Sequence, residues 1–498
     1  MALFSWAQPG RLDSSFADQG RLRYQDPEPG YQTAARCLLQ RADGRWLAIG
    51  ERFDGSVGEL LMLAYQANGH PDSSWADQGQ RVMALPGLGR AFPTAATLAP
   101  DGGCFIAGQT PNQQGAWLLR LRPGGRPDSN WAQQGLQRQA FGLTDQLSAL
   151  HLRPDGCLLV GGVRQGQPTA WAFDALGRPD SSFGPQGRVA LGQPGEDGDL
   201  VADSLGNFFL AGADLRSGLD GVIRVGKFRP DGRPDSSFGQ QGQVALPATE
   251  YANRVRLALR PDGRVVLAAD DYANLGSALR LRLMQLQPDG SLDPAFGQAG
   301  QTLALPGAEP YALLHEPDGH LLVCGLITEN QYQDLFVARF QPDGQPDSSF
   351  GSGGYRRSGL AKAPFQQFTF GRSLALTPHQ QILAAGGTFI QGQSHLLVLR
   401  LTPGFAADTT TAHVAPPSFS PLLPYPNPTN GLLHLPPIAS GPMVLELWSP
   451  TGQCLRRESY RHAAPTVWDL SPFPPGVYGL HLYLPGRPPM FFSVKKRP

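Results

Sequence analysis

The chain of 498 residues lacks an excess of charge of either sign, because Lys plus Arg and Asp plus Glu both number 41. Without a positive field it has no general attraction for nucleic acid or anionic lipid. No apolar run approaches the roughly 18 residues of a membrane-spanning helix. The start, MALFSWAQPGRLDSSF, has neither the basic segment nor the apolar core of a secretory signal. We therefore expect no nucleic-acid partner and no transmembrane segment.

Cysteines are few, odd in number and far apart: Cys37, Cys104, Cys157, Cys324 and Cys454. They show neither CxxC zinc spacing nor the density of a disulfide framework. Four of them lie within or beside apolar runs, where a thiol behaves as a small hydrophobic group. The chain also lacks the Walker, GxGxxG, GxSxG, HExxH and EF-hand patterns. The sequence therefore predicts no catalytic residue, no cofactor or cofactor-binding residue and no metal ligand.

Three small groups of possible metal ligands are too weak to change that expectation. They are the acidic loop Glu196, Asp197 and Asp199, the pair Asp270 and Asp271, and the pair His315 and His320. The acidic loop lacks the alternate spacing of a calcium loop, so we expect a solvated turn. The two histidines flank a turn and have no third ligand nearby in sequence, which is also typical of solvated side chains.

What the chain does have is glycine (61) and proline (47), which together make up about a fifth of it. An eleven-residue motif, GRLDSSFADQG in its first copy, occurs seven times, with intervals of 52 to 59 residues between successive aspartates. These aspartates are Asp13, Asp72, Asp128, Asp180, Asp235, Asp293 and Asp347. A period of this length, repeated seven times, indicates stacked repeat units.

Each repeat contains the pattern of four short strands. A hairpin with a Pro-Asp-Gly-like turn, such as LRPDGCLLVGG at 152–162, is followed by a third apolar run, such as LFVARFQ at 335–341. A short strand after the Asp motif, such as RVAL at 188–191, completes the unit. The fold predicted is therefore all-β: a seven-bladed β-propeller of four-stranded antiparallel blades, whose last strand ends at Leu401.

Two questions about the ring stay open. An open β-solenoid would share the period, although its parallel rungs would not need seven hairpin turns. The fragment Leu3–Trp6 looks like the end of an outer strand, so either it pairs with the final blade and closes the ring or the start of the chain is trimmed.

The repeated motif reads as structural, because an active site is needed once and this feature appears seven times. We expect each Asp to accept hydrogen bonds from backbone amides just after it. The motif aromatic is expected to pack between blades. A basic residue in the third run, as at Arg120, Lys227, Arg339 and Arg400, is interpreted as a charge on an outermost edge strand that discourages aggregation.

These units resemble the delta-60 repeat, a bacterial tandem repeat of unknown biochemical function, over about residues 10–404. The fourth and seventh copies depart from the family pattern at the hairpin turn, at Asp203–Gly206 and at Pro378. The resemblance implies no catalytic residues.

The composition changes after the repeats. Residues 1–404 form the predicted propeller, 405–423 a Pro/Ser/Thr/Ala-rich linker, and 424–498 a separate module with several short strands, predicted to be a small β-sandwich. The last module resembles the C-terminal sorting domain of type IX secretion cargo. The matching residues are Tyr425, Pro426, Asn427, Pro428, Asn430, Gly431, Gly452, Gly476, Tyr478, Lys495 and Lys496.

That resemblance implies export by the type IX secretion machinery, followed by release or by attachment to surface lipopolysaccharide. Such cargo normally carries a Sec signal, and none is visible, so we hypothesise that the true start lies upstream of Met1. We expect a secreted or outer-membrane surface protein: a non-catalytic binding, adhesion or scaffold module for an extracellular glycan or protein. Its ligand would lie over the channel mouth or on the loops between strands.

The alternative is a secreted propeller enzyme, either a glycan hydrolase or lyase or a quinone-dependent oxidoreductase. It would require single-copy carboxylates or histidines that converge on the channel from different blades.

Overall fold

The computed structural model describes residues 9–110, 115–192, 195, 197–214, 221–247, 252, 254–271, 279–360, 367–390, 392–403, 432–434, 443–449, 454–460, 467–474, 476–483 and 490–496. The chain divides into two compact units, Met1–Ala407 and Asp408–Pro498.

The first unit is built from seven four-stranded antiparallel sheets, here called blades 1 to 7. Strand β1 (Arg21–Tyr24) precedes blade 1, which contains β2 (Gln32–Gln40), β3 (Trp46–Phe53), β4 (Gly58–Tyr65) and β5 (Gln80–Met83). Blade 2 contains β6 (Phe92–Leu98), β7 (Cys104–Gln109), β8 (Ala116–Leu121) and β9 (Leu136–Gln137). Blade 3 contains β10 (Gln146–Leu152), β11 (Leu158–Arg164), β12 (Gln167–Phe173) and, after a short 3₁₀ turn at Pro185–Gly187, β13 (Arg188–Ala190).

The remaining blades repeat this order. Blade 4 contains β14 (Asp197–Ala202), β15 (Phe208–Asp214), β16 (Val222–Phe228) and β17 (Gln243–Pro247). Blade 5 contains β18 (Val255–Leu259), β19 (Val265–Asp271), β20 (Arg280–Leu286) and β21 (Gln301–Pro306). Blade 6 contains β22 (Ala308–His315), β23 (Leu321–Glu329), β24 (Tyr332–Phe340) and β25 (Tyr355–Arg357). Blade 7 contains β26 (Phe368–Leu376), β27 (Ile382–Ile390), β28 (Gln393–Leu401) and β1.

The blades close into a ring. The first strand of each blade contacts the first strand of the next, and β26 of blade 7 contacts β2 of blade 1. Seven first strands therefore surround a central channel, and an open solenoid is excluded. The predicted all-β, seven-bladed propeller is confirmed.

Both ends of the repeat region build blade 7. Strand β1 pairs with β28, with Leu22 opposite Val398 and Tyr24 opposite Leu396. The closing strand is thus Arg21–Tyr24, while the fragment Leu3–Trp6 lies outside the described residues.

One repeated contact joins neighbouring blades. The motif aromatic of each blade is buried and packs against a turn glycine of the next: a Cβ on Gly177 would lie 2.6 Å from Cε2 of Trp131. The same contact joins Phe350 of blade 6 to Gly10 beside blade 7. The seven aromatics are Phe16, Trp75, Trp131, Phe183, Phe238, Phe296 and Phe350.

The motif aspartate folds its own turn back onto the third strand of its blade. In blade 6 the amide of Asp347 donates to the carbonyl of Arg339 at 3.0 Å, and the Asp347 carboxylate accepts the Ser349 amide at 3.0 Å and its hydroxyl at 2.6 Å. Every blade repeats the first of these bonds between its motif Asp and its third strand.

The interpretation of Arg339 and its equivalents as edge charges is wrong. The run 335–341 lies within and just after the third strand, and β25 outside it is the edge. Arg120, Arg339 and Arg400 are buried, and Arg339 forms ion pairs with Glu316, Asp318 and Asp347. The short fourth strand is the outermost strand of each blade. The cations on the third strand therefore lie inside the blade, where they hold its turns in place.

The second unit is also all-β in its described residues. It contains β29 (Leu432–His434), β30 (Met443–Trp448), β31 (Cys454–Tyr460), β32 (Val467–Asp469), β33 (Gly476–Tyr483) and β34 (Met490–Lys496). Strands β29 and β32 pair with each other, and the other four form an antiparallel sheet in the order β31-β30-β33-β34.

Within the described ranges of both units, no helix is both long and apolar enough to cross a bilayer.

Candidate functional site

A cavity of about 200 Å³ lies in the central channel of the propeller. All seven blades contribute to its wall, so it is the place where residues that differ between repeats converge. The lining residues are Arg36, Pro93, Thr94, Gln109, Gln146, Leu147, Ser148, Val163, Asp197, Gly198, Arg256, Tyr311 and Arg372.

β-Bulges position five of these side chains. In the first strands of blades 1, 2, 3, 6 and 7, the register with the second strand breaks at the same place, and one residue is left without a partner. A bulge of this kind re-aims a side chain. The five unpaired residues are Arg36, Thr94, Ser148, Tyr311 and Arg372, and all five line the cavity.

Tyr311 is the centre of the positively charged side of the cavity. The guanidinium of Arg372 lies 3.9 Å from the centroid of its ring, and that of Arg254 lies 4.4 Å from it. Nε of Arg256 donates to the Tyr311 carbonyl at 3.0 Å. One tyrosine therefore gathers three arginines, through cation–π contacts and one hydrogen bond.

The carboxylates of blade 4 hold the neighbouring strand β18. Asp197 Oδ2 accepts the Val255 amide at 2.9 Å and Nη1 of Arg256 at 2.6 Å. The two oxygens of Asp199 accept the amides of Leu200 and Leu257. Burial raises the pKa of Asp199 to about 6. Both carboxylates thus have partners that fix the wall of the channel.

Arg36 lies in blade 1, which adjoins blade 7 on the side away from Tyr311, and it is paired with Glu51. Its Nη2 lies 2.6 Å from Glu51 Oε1, and Glu51 Oε2 lies 3.3 Å from Arg90. Nε of Arg36 is buried and has no hydrogen-bond partner in the described part of the chain. Nη2 of Arg36 is therefore held by Glu51, while its Nε–H group is left to donate to a ligand.

The acidic loop is not the solvated turn that was expected. Asp197 and Asp199 lie on the first strand of blade 4; Asp197 lines the cavity, Asp199 is bonded to the neighbouring strand β18, and Glu196 lies outside the described residues. Asp270 and Asp271 are also buried, and Asp270 accepts the Arg254 amide at 2.7 Å.

The two histidines do not form a site. His320 Nδ1 bonds the Asp318 carboxylate within its own turn, and burial lowers the pKa of His315. Among the described residues, no three His, Cys, Asp or Glu side chains are arranged to hold a metal ion.

None of the seven motif aspartates lines the cavity. Of the residues that resemble the sorting domain, Tyr478 is buried and donates to the Pro474 carbonyl, and Lys496 Nζ donates to the Ser471 carbonyl at 2.9 Å. Gly476 and Lys495 lie on β33 and β34. Tyr425, Pro426, Asn427, Pro428, Asn430, Gly431 and Gly452 lie outside the described residues.

Sequence reasoning did not single out Arg36, Arg256, Tyr311 or Arg372. A signal was present: in four repeats the bulge residue stands seven positions before the turn Asp, as Arg36 before Asp43 and Tyr311 before Asp318. The position varies between repeats while its neighbours stay small or apolar. Alignment of the repeats on the turn would have identified it.

Comparison with known proteins places these repeats among propellers. Residues 260–296 and 316–350 match a family model described as a β-propeller domain of unknown function, DUF5122. These are propeller repeats. No curated protein matches the chain.

Solved structures give distant similarities. A protein of unknown function from Dyadobacter fermentans is 11% identical, with a TM-score of 0.42, covering 77% of this chain and 99% of that one. Sqt1 from Chaetomium thermophilum is 13% identical, with a TM-score of 0.41 and coverage of 78% and 87%. An α-L-arabinofuranosidase from Fusarium graminearum is 10% identical, with a TM-score of 0.37 and coverage of 62% and 92%. Similarities at this level assign no activity to the propeller.

Proposed function

We propose that the protein is an exported or cell-surface propeller that binds an extracellular glycan or protein ligand without catalysing its conversion. The observation that carries this proposal is the cavity to which all seven blades contribute. Repeated scaffold residues stack the blades, and the single-copy side chains are collected at the channel, where a ligand is recognised.

The absence of a catalytic arrangement supports binding rather than catalysis. Among the described residues that line the cavity, Asp197 is the one carboxylate, and its Oδ2 is held by the Val255 amide and by Arg256. Hydrolysis by a pair of carboxylates needs a second such group facing the cavity. The arginines and Tyr311 can bind a ligand but supply no proton acceptor at neutral pH.

An array of glycans and extracellular proteins, probed with the full chain, tests the binding function. We expect saturable binding to at least one class of ligand, and we expect that ligand to be recovered unchanged after incubation. If the array shows no binding, the proposal is wrong.

One observation favours an enzyme as the second candidate. Asp197 lines the cavity and both of its hydrogen bonds to described residues use Oδ2, so Oδ1 is available to a substrate as a general acid or base. Mass spectrometry of each bound ligand decides between the two functions. A cleaved or oxidised product that disappears in Asp197→Asn would establish catalysis and overturn the binding proposal.

We also propose that the second unit directs export through the type IX machinery. The resemblance of residues 424–498 to sorting domains supports this, as does their separation from the propeller as a compact unit of their own. The test expresses the full chain behind a Sec leader in a host with type IX secretion. We expect the full chain on the surface or in the medium, and a chain without 424–498 in the periplasm. Equal export of both would refute this role.

A further inference from the structure

Three arginines and one tyrosine form a continuous wall on one side of the channel. Arg256, Tyr311, Arg372 and Arg36 lie on the first strands of blades 5, 6, 7 and 1, which are consecutive around the ring. We call this set the arginine arc. The other side of the cavity, from blades 2 and 3, presents neutral groups such as Thr94, Gln109 and Ser148.

Arg372 differs from its neighbours in lacking an anionic partner. Arg256 is paired with Asp197 and Arg36 with Glu51, whereas within the described residues Arg372 forms no ion pair. Its Nε is buried and has no hydrogen-bond partner among the residues that the structure describes. Its favourable contacts are with the rings of Tyr311 and Phe370.

The electrostatic environment of Arg372 is unfavourable for a cation. Burial, together with the nearby Arg36, Arg254 and Arg256, lowers the pKa of Arg372 to about 10, although Tyr311 acts in the opposite direction. A buried charge without a counter-ion is unfavourable in free energy, and a bound anion would offset that cost. The guanidinium fork matches the oxygens of carboxylate, sulfate and phosphate.

We propose that the arginine arc binds an acidic group of the ligand, with Arg372 as its direct partner. The shared chemistry is a small oxyanion: a carboxylate, a sulfate or a phosphate. The cavity of about 200 Å³ is smaller than a typical pocket for a whole organic ligand, roughly 300–1,000 Å³. It accommodates one acidic group or one terminal unit of a larger molecule. This inference rests on the proposed binding function and names the chemistry of its ligand.

Isothermal titration calorimetry of the full chain at low ionic strength tests the inference. The probes are sodium sulfate, sodium phosphate, sodium glucuronate and neutral glucose. We expect saturable binding of at least one anion and none of glucose, and the anion that binds best identifies the source of the acidic group. Binding should weaken as sodium chloride is added, because salt screens the charge.

Variants connect the binding to the arc. Arg372→Gln should weaken binding of the anion at least tenfold. Arg372→Lys keeps the charge but loses the guanidinium fork, so its affinity should lie between those of the wild type and Arg372→Gln. Arg224→Gln is the matched control: Arg224 lies on β16, outside the channel, and also has a buried, unpartnered Nε. It should bind like the wild type.

Arg36→Gln provides a second test if Arg372→Gln does not fold, and a loss of binding of similar size is expected. The inference is overturned if the wild-type chain binds none of the three anions, if it binds glucose equally well, or if neither arc variant weakens binding. If the ligand found on the array is neutral, the proposed binding function still holds, and only the inference that the arc binds an acidic group is overturned.

Discussion

Arg339 and Asp347 form an ion pair inside blade 6, with Nη1 and Oδ2 2.9 Å apart and the arginine side chain 2% exposed. The same guanidinium contacts Glu316 at 2.6 Å and Asp318 at 3.0 Å. The pair thus ties the motif turn to the third strand and to the hairpin turn. Equivalent pairs are Arg400 with Asp13 in blade 7 and Lys227 with Asp235 in blade 4.

Removal of this cation should destabilise the propeller strongly. Arg339→Ala leaves the buried Glu316 without its counter-ion, and a broken buried pair costs ~3–5 kcal/mol. The control is Arg178→Ala, which breaks an exposed pair with Asp174 and should cost ~0–1 kcal/mol. Urea unfolding followed by circular dichroism compares the two midpoints, and equal midpoints would contradict a structural role for Arg339.

The contact between motif aromatic and turn glycine gives a matched pair of glycine substitutions. Gly177 and Gly166 both have positive φ, so alanine is strained at either position. Only at Gly177 would the new Cβ meet a neighbour, the Trp131 ring, because nothing lies within 4 Å of the Cβ position at Gly166. Gly177→Ala should therefore cost ~1–3 kcal/mol more than Gly166→Ala in thermal or urea unfolding. A smaller cost at Gly177 would mean that the blades do not meet there.

Acid should weaken the propeller through its motif turns. Hydrogen bonds from Ser237, and then Lys227, lower the pKa of Asp235 to about 2. An unfolded Asp titrates near ~3.9, so this carboxylate stabilises the fold fully above that pH and loses its contribution as the pH falls toward about 2. Unfolding free energies measured from pH 5 to pH 2 should show this decline.

Asp235→Asn should flatten part of that decline, since the amide does not titrate. Asp77→Asn, on an exposed turn, controls for the loss of one charge. If the Asp235 variant followed the wild-type curve in parallel, the turn carboxylate would not be a source of the acid sensitivity.

Closure by β1 predicts the effect of a truncation. A chain without residues 1–24 would expose the edge of β28 that β1 covers, and an uncovered edge pairs with other chains. Light scattering after size exclusion should show dimers or larger species and a lower unfolding temperature. A chain without residues 1–8 keeps β1 and should behave like the full chain. A monomeric, equally stable chain without 1–24 would show that closure does not depend on β1.

The architecture was predictable because the signals for it are repeated. Seven copies of one motif, each followed by a hairpin turn, determine the number of blades and strands without any knowledge of distant contacts. The closing strand was not predictable, since Arg21–Tyr24 is a short segment whose partner strand lies more than 370 residues away in sequence. The charge on the third strand was misread because burial of Arg339 depends on three carboxylates from two separate turns.

The candidate site was hidden for a different reason. Its residues come from seven blades, and no two of the arc residues Arg36, Arg256, Tyr311 and Arg372 are neighbours in sequence. Each looks like an isolated polar residue in a small-residue strand until the ring brings them together. The acidic residues Asp197 and Asp199 were noticed, but only the closed ring places Asp197 at the cavity and joins Asp199 to the next blade.

A crystal structure of the full chain with its best-binding acidic ligand tests the account most directly. We predict that the acidic group lies in the central channel, with its oxygens within hydrogen-bond distance of the Arg372 guanidinium. A ligand bound on the outer strands or on the second unit, with the channel unchanged, would contradict it.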